Sequence, residues 1–477
     1  FFTHGSAGAL LPRRVWGSSI VHDPSIFLSL TLLVLLGVWL VDRNVMRTRL
    51  GRAFQIIRED EAVAQSFGVD VTRYKILAFV LSGAIAGLAG ALYGASIGLV
   101  NSDTFNLNLS LRLVLIVIIG GVGRRWGVAL VAVLLALSPK LPSFLGKYDL
   151  VVAAAVVIYN VVRLPTGLAG FVDGLRVAAA DRRRAALAPD EEDIVIPNLL
   201  VVAPPRLDAR QGGVADASAT DQVLLRVEDV SVRFGGLAAV DGVSLETRRA
   251  TIVGIIGPNG AGKSTFFNAI SGLLLPAEAH GRIVLDGQPL HDLAPSARAA
   301  AGLGRTFQLV GLAKEMSVRE NIVMAQHQAA RYSDVAALLY SASVDRTERA
   351  LGELADDVIA GLGFDRFRDV PLRQLSGGQQ RLVELAAVLA THPKLLMLDE
   401  PTAGLSPAAA ENLADRLHAL RAEHGQSILL IEHNVPLVLD LCDYVYVLNA
   451  GQLLADGAPD TLARNPEVLS AYLGEAV

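Results

Sequence analysis

The sequence predicts a chain of two parts: an all-α, polytopic membrane domain followed by an α/β domain. Three observations carry that division. Long uncharged runs cluster between residues 25 and 162. A Gly-x-x-x-x-Gly-Lys-Ser pattern sits between an apolar strand and a helical stretch near residues 251–273. A second apolar stretch, 394–400, ends in two carboxylates. Composition agrees, since only 19% of residues are charged and 52% are hydrophobic, whereas an ordinary soluble domain is about 25% charged. Charge is also divided: residues 1–180 hold 16 Lys/Arg and 9 Asp/Glu, a balance of +7, and residues 181–477 balance at −12. The single cysteine, Cys442, excludes an intrachain disulfide framework. No dense Lys/Arg run marks nucleic acid as a partner.

The first uncharged run, residues 25–41, is 17 residues long, the lower end of what crosses ~30 Å of hydrocarbon at about 1.5 Å per residue. The second, 76–100, has 25 residues and is the clearest span. Its Gly83/Gly87 and Gly90/Gly94 pairs each lie on one face and permit close helix approach. Three further candidates are 107–123, interrupted by Arg112, then 127–138 and 150–162. The last two are short enough to be re-entrant, although tilt or local thinning accommodates short spans. Basic residues fix the orientation. Arg43, Arg47, Arg49, Arg52, Arg58, Arg73 and Lys75 place the first loop in the cytoplasm. Arg124 and Arg125, and then Arg163, Arg176 and Arg182 to Arg184, are placed there too. Five crossings satisfy all three assignments, with Arg13, Arg14, Lys140 and Lys147 falling outside. The chain opens at Phe1 with no signal-peptide layout, so the expectation is a start inside a longer reading frame.

Within the first cytoplasmic loop, Glu59, Asp60 and Glu61 open a short helix that Gly68 closes. Val63 and Phe67 share one face of it. Two readings stand side by side, a helix lying on the membrane surface and a helix that docks on an ATPase domain. Residues 178–222 are rich in Ala, Pro, Gly and acidic residues and read as a flexible linker. The expected domains are therefore 1–177, a partial transmembrane domain, the 178–222 linker, and 223–477, a nucleotide-binding domain.

Residues 251–256 read as a buried strand, followed at once by Gly257-Pro258-Asn259-Gly260-Ala261-Gly262-Lys263-Ser264-Thr265 and a helix expected over 266–273. Glycines let successive backbone N–H groups turn toward one anion at a helix N-terminus. Lys263 is positioned to reach β- and γ-phosphates, and Ser264 to give its hydroxyl to Mg²⁺. The strand 394–400 carries Asp399 and Glu400 to its carboxyl end, where ligands sit in open α/β sheets. Asp399 suits the Mg²⁺ side, and Glu400 the polarisation of attacking water.

Leu375-Ser376-Gly377-Gly378-Gln379-Gln380 resembles the signature motif of ABC-transporter ATPases, and the order of phosphate loop, signature, Asp-Glu strand and histidine is that family's order. The resemblance covers about 223–477. It implies a P-loop fold with antiparallel β and helical subdomains. It also implies roles for Gln308, as Mg²⁺ sensor and permease contact, for His433 near the γ-phosphate, and for Phe234 stacked on adenine. Ser376, Gly377, Gly378 and Gln379 would face ATP held by a second ATPase subunit, so dimerisation is implied. The loop 403–406 ends in Ser406 where the family usually has an acidic residue, which bears on exchange between paired sites. In the membrane half, residues 51–62 with Gly68, the Ile119-Gly120-Gly121-Val122-Gly123 turn and residues 163–168 resemble permeases of branched-chain amino-acid ABC importers. The tail Ala471-Tyr472-Leu473-Gly474 looks like the partner ATPase of those systems. Spacing from Glu61 to Gly68 is one residue longer than in the general importer docking motif.

The resemblance implies an ATP-driven importer component in the cell membrane with its ATPase in the cytoplasm, using ATP and Mg²⁺. Expected partners are a second permease, a second ATPase, an external substrate-binding protein and membrane lipid, with no nucleic acid. Similar systems carry urea or short amides, so these stay open beside branched-chain amino acids. An exporter half shares the membrane-then-ATPase order, but the loop 42–75 is too short and Gly-interrupted for the long cytoplasmic helix extensions of exporters. A soluble ABC ATPase is disfavoured by the apolar region 25–162.

Overall fold

The computed structural model describes residues 9–10, 24–97, 99–100, 107–123, 125–137, 222–274, 278–308 and 310–473. The linker 178–222 apart from Gln222, the fifth candidate span 150–162 and the residues 163–168 lie outside the described residues, as does Gly474 of the C-terminal tail. Two compact units emerge, one drawing on 1–33 and 86–193, the other on 34–85 and 194–477. The loop 42–75, read above as cytoplasmic, therefore belongs to the same unit as the ATPase half.

In the first unit, β1 (Ala9–Leu10) pairs antiparallel with β2 (Leu99–Val100). Among the described residues, the helices of the N-terminal half, in chain order, are α1 (Pro24–Met46), α2 (Arg49–Glu59), α3 (Glu61–Ser66), α4 (Val71–Ile97), α5 (Leu107–Gly120) and α6 (Arg125–Leu137). Only α1 and α4 are long and apolar enough to cross a membrane among the described residues. Their 23 and 27 residues extend about 35 and 40 Å. Leu33 and Phe79 are 68% and 82% exposed. Away from their loop-side ends, where Val45, Val71 and Tyr74 are buried, these helices are apolar and exposed among the described residues, which suits an apolar surrounding. α5 and α6, at 14 and 13 residues, extend about 20 Å and are shorter than the hydrocarbon layer. They pack as a hairpin whose turn explains the glycines at 120–123. A Cβ on Gly120 would stand 2.6 Å from the Val128 backbone, and Gly121 and Gly123 hold φ of 102° and 80°.

The second unit places two sheets against each other. The first is antiparallel, with β3 (Val223–Phe234), β4 (Leu237–Arg248), β6 (Ala279–Leu285) and β7 (Gln288–Pro289) in the order β4-β3-β6-β7. The second has β5 (Ile252–Ile256), β8 (Leu303–Arg305), β9 (Leu395–Asp399), β10 (Ser427–Ile431), β11 (Tyr444–Asn449) and β12 (Gln452–Gly457) in the order β12-β11-β5-β10-β9-β8. All its neighbours are parallel except β11 and β12. β5, β9 and β10 are buried at every residue, as central strands covered on both faces must be. Their apolar runs read as continuous rather than alternating for that reason. One core fills the space between the sheets around Phe266, Phe267 and Ile270. The other lies on the helical side. There the main helices are α7 (Lys263–Ser271), α8 (Val318–Ala325), α9 (Asp334–Leu339), α10 (Ala342–Gly361), α11 (Gly377–Leu389) and α12 (Pro407–His424). The antiparallel sheet and the α8–α11 helical layer are the two subdomains expected beside the P-loop core.

The helical-side core includes residues of the loop between α1 and α4: Leu50, Ala53, Ile56, Val63, Ala64 and Phe67 pack with Ile322, Met324 and Leu382. The short helix in that loop forms where expected. Asp60 caps it, accepting from the N–H groups of Ala62 and Val63, and Gly68 follows with φ 80°. Val63 and Phe67 are both 4% exposed, so this helix lies on the ATPase half through the face they share.

Candidate nucleotide site

The phosphate loop spans residues 257–262 and leads from β5 into α7. The helix starts at Lys263, three residues earlier than the sequence suggested, because Gly262 at φ 93° ends the loop immediately before it. Lys263, Ser264 and Thr265 are thus on its first turn. Glycine is required at two loop positions. A Cβ on Gly257 would meet the Leu448 carbonyl oxygen at 2.1 Å, and one on Gly262 the Ala239 carbonyl oxygen at 2.3 Å, both at positive φ. Lys263 folds over the loop, its ammonium donating to the carbonyls of Gly257 at 2.6 Å and Pro258 at 2.9 Å. Asn259 and Gly260 are exposed at the loop tip, Pro258 is half-buried and Ala261 is buried. Phe234 stands at the β3–β4 hairpin turn, 42% exposed. It is therefore no core aromatic. Ala239, three residues past the turn, abuts the phosphate loop at Gly262.

β9 delivers Asp399 and Glu400 to one end of the parallel sheet. Asp399 is 2% exposed; its Oδ2 accepts from Arg305 at 3.1 Å, while its buried Oδ1 has no hydrogen-bond partner. Burial raises the Asp399 carboxyl above the usual carboxylate range, and the Arg305 guanidinium opposes that. An orphaned, buried carboxylate oxygen facing a cavity is a suitable cation ligand. Asp399, Ser264 and Gln308 line one cavity of about 460 Å³. No cluster of three or more His, Cys, Asp or Glu able to hold a metal exists among the described residues. Mg²⁺ commonly binds through one or two carboxylates with phosphate and water completing its shell, so this donor set fits that ion.

Glu400 is the next residue and has φ 49°, a left-handed conformation costing a non-glycine residue on the order of 1 kcal/mol and concentrated at functional sites. Its Oε1 lies 2.6 Å from His433 Nε2, and its Oε2 accepts from Gln308 Nε2 at 3.3 Å. The three residues assigned to hydrolysis thus form one cluster. His433 is set by the end of β10, where Glu432 accepts from the backbone N–H groups of Thr402 and His433 and from the Thr402 hydroxyl.

Ser376 is the N-cap of α11 in a reciprocal box with Gln379, at 3.3 Å and 3.0 Å. Gly377 is exposed and Gly378 half-buried. None of these four signature residues lines the cavity that holds Ser264 and Asp399. Ser406 caps α12 through Ala409 N–H, a local use for the hydroxyl at that position.

Sequence reading missed a second layer. Arg381, five residues after Ser376, donates through Nη2 to the carbonyls of Asp399 at 2.6 Å and Glu400 at 2.8 Å. It pairs with Glu384 at 2.9 Å, and Glu384 Oε1 accepts from Phe307 N–H at 3.0 Å and Gly311 N–H at 2.8 Å. Both side chains are under 10% exposed. Burial raises the Glu384 carboxyl despite Arg381 and those two N–H groups. This pair fixes the catalytic end of β9 to the segment carrying Gln308. Gly311 in turn touches the loop: a Cβ there would stand 3.1 Å from Val63 Cγ2. The only available sequence signal was the i, i+3 spacing of opposite charges in a buried helix.

The loop itself is bound by charge. Arg52 makes a two-pronged pair with Glu348, at 2.7 and 3.0 Å, with both side chains about nine-tenths buried. Arg49 donates to Asp334 at 3.0 Å and to the Ala330 carbonyl at 2.5 Å. Glu59 accepts from Lys314 N–H at 2.8 Å. Glu59, Asp60 and Val63 also line the cavity containing Asp399.

Residues 4–161 match a family described as the branched-chain amino acid transport system permease component. Residues 240–403 match the ABC transporter family, and 452–477 the branched-chain amino acid ATP-binding cassette transporter family. The chain is 42% identical over 253 residues to the high-affinity branched-chain amino acid transport ATP-binding protein BraF of Pseudomonas aeruginosa, spanning 53% of this chain and 98% of that protein. It is 42% identical over 255 residues to LivG of Escherichia coli, which bears the same description, spanning 54% and 99%. Among solved structures, a nucleotide-free ATP-binding cassette from an ABC transporter shares 32% identity over 53% of this chain and 99% of its own, with a TM-score of 0.45. Nearly the full length of BraF and LivG, 98% and 99%, is thus matched within a chain that also carries a permease segment. The chain belongs to the branched-chain amino-acid ABC transporter family and joins a permease segment to a transport-coupled ATPase.

Proposed function

We propose that this chain drives the import of branched-chain amino acids, its α1–α6 region forming part of the membrane path and its C-terminal half supplying the energy. The observation that carries this reading is the succession within one chain of a permease match at 4–161 and an ATPase match at 240–403, both of branched-chain type through the 452–477 tail. Five crossings with a cytoplasmic ATPase accord with the basic loops; a second permease, a second ATPase and an external binding protein complete the assembly. The domain limits at 177 and 223 belong to the same proposal.

At the site, ATP would lie on residues 257–265 with its adenine against Phe234. Lys263 would exchange its two carbonyl contacts for the β- and γ-phosphates. Ser264, Gln308 and Asp399 would hold Mg²⁺, which when bound neutralises phosphate charge. Glu400 accepts a proton from the attacking water, and His433 and Gln308 hold that carboxylate in place. Ser376, Gly377, Gly378 and Gln379 would present hydrogen-bond donors to ATP on the second ATPase, since α11 begins there. Reconstitution in liposomes tests the substrate. Labelled leucine should accumulate in an ATP-dependent manner when the chain is combined with its partner subunits and binding protein. Accumulation of urea in place of leucine would contradict the assignment.

A further inference from the structure

We propose that α9 is a membrane-contacting foot of the ATPase half, with Val335 and Leu339 entering the phospholipid headgroup–acyl boundary on the cytoplasmic face. This rests on the reading of α1 and α4 as spans. Val335 and Leu339 are 64% and 72% exposed and, four residues apart, share one side of the helix. The opposite side is committed to protein, with Ala337 fully buried. Among the exposed large apolar residues of this half, which otherwise sit at the β3–β4 hairpin and on β11 and β12, Val335 and Leu339 form the helical pair.

The position of α9 supplies the occupant. It is tied to the feet of both candidate spans. Asn44 Nδ2, near the end of α1, donates to the Leu338 carbonyl at 2.9 Å. Arg73, at the start of α4, pairs with Asp334 at 2.5 Å. Asn44 lies three residues beyond Val41, the last of the first uncharged run, and Arg73 lies three residues before Ile76, the first of the second. Each tie therefore sits about 4.5 Å beyond the hydrocarbon boundary along its helix. The headgroup layer is about 5–7 Å thick on each side, so both ends of α9 fall within it. Trp39, 48% exposed and covered by the Arg43 guanidinium at 5.6 Å, marks the same level, as interfacial tryptophans do. Arg47 and Arg331 are exposed nearby in sequence and suit anionic headgroups. An apolar pair at that depth is covered by lipid rather than by water.

The test uses the full chain in vesicles of phosphatidylcholine and phosphatidylglycerol. A bimane label is placed at Leu339→Cys, at Leu35→Cys within α1, or at Leu237→Cys on the exposed β3–β4 hairpin. Native Cys442 is buried and is replaced if it labels. Lipid brominated near the top of its acyl chains should quench Leu339→Cys at least about 2-fold more than Leu237→Cys, as an interfacial residue requires. Quenching at Leu35→Cys with Leu339→Cys no different from Leu237→Cys would overturn the foot while leaving the spans intact. A Leu339→Cys label shielded from both brominated lipid and aqueous iodide would also overturn it, since a protein partner would then cover the site. Absence of quenching at Leu35→Cys would remove the spans and the foot together.

Discussion

Two charge clusters differ in how they are made. The cluster we propose for hydrolysis, Glu400 with His433 and Gln308, is built from residues that belong to recognisable motifs, and its hydrogen bonds are open to solvent, with His433 45% exposed. The docking cluster joins Arg49 and Arg52, the latter in the stretch 51–62 that resembles a permease loop, to Asp334 and Glu348, which belong to no motif. Its central pair is about nine-tenths buried. On that proposal the first is arranged for chemistry, where water and nucleotide must enter. The second is arranged for attachment, where a charge left unpaired is expensive. Mutations should therefore separate the two, the first changing turnover and the second changing stability and transmission.

The largest effect is expected at Glu400. Glu400→Gln should lower kcat by about 10²–10⁴, the usual contribution of a positioned general base, with ATP affinity retained. Phosphate release and nucleotide binding on the purified chain measure both. A turnover within a few-fold of normal would take the proton-accepting role away from Glu400. Next comes the layer behind the cluster. Glu384→Gln leaves the Arg381 guanidinium buried without its carboxylate and should cost about 3–5 kcal/mol, read as a fall in thermal stability. A stability change of less than about 1 kcal/mol, the range of a surface pair, would show that the pair does not hold β9 to the Gln308 segment.

The docking cluster has a titration of its own. His327 is buried beside Tyr74 and is held at about 3, first by burial and then by Arg49, Arg52 and Arg73, with Asp334 opposing. In the unfolded chain its value is about 6.5, so the unfolded state takes the proton first as pH falls. This contribution is complete above about pH 6.5 and is lost toward pH 3 at up to about 1.4 kcal/mol per unit. His327→Gln should flatten the stability profile between pH 6.5 and 5. An unchanged slope would place the acid sensitivity elsewhere. The smallest effect is expected at the exposed pair of Lys75 and Glu61, about half exposed on both sides. Glu61→Gln should shift stability by under about 1 kcal/mol.

The same contrast explains what the sequence disclosed. β5 and β9 were legible because every residue in them is buried, so apolar identity is continuous, and the phosphate loop was legible because a Cβ at Gly257 or Gly262 would meet a backbone oxygen within 2.3 Å. The loop helix was legible through Asp60 and Gly68, its local cap and stop. Arg305, Arg381 and Glu384 were not, because their partners lie up to 94 residues away and no local rule distinguishes them from surface charges. Arg52 and Glu348, 296 residues apart, were hidden for the same reason. The number of spans stayed open because α5 and α6 are too short to decide by length, and the fifth candidate lies outside the described residues.

From the packing of Val63 and Phe67 on the ATPase half and the buried Arg52–Glu348 pair, we propose that the loop between α1 and α4 passes the work of ATP hydrolysis to the permease. The most direct test of this central claim is leucine uptake per ATP hydrolysed in the reconstituted assembly, compared for the unmodified chain, Arg52→Met, Glu348→Met and both together. Each single substitution leaves one buried charge without its partner, and the double removes both. The expected result is preserved basal hydrolysis with uptake per ATP sharply reduced in each single variant and substantially recovered in the double. Unchanged uptake per ATP in both single variants, with the protein folded and hydrolysing, would contradict the claim.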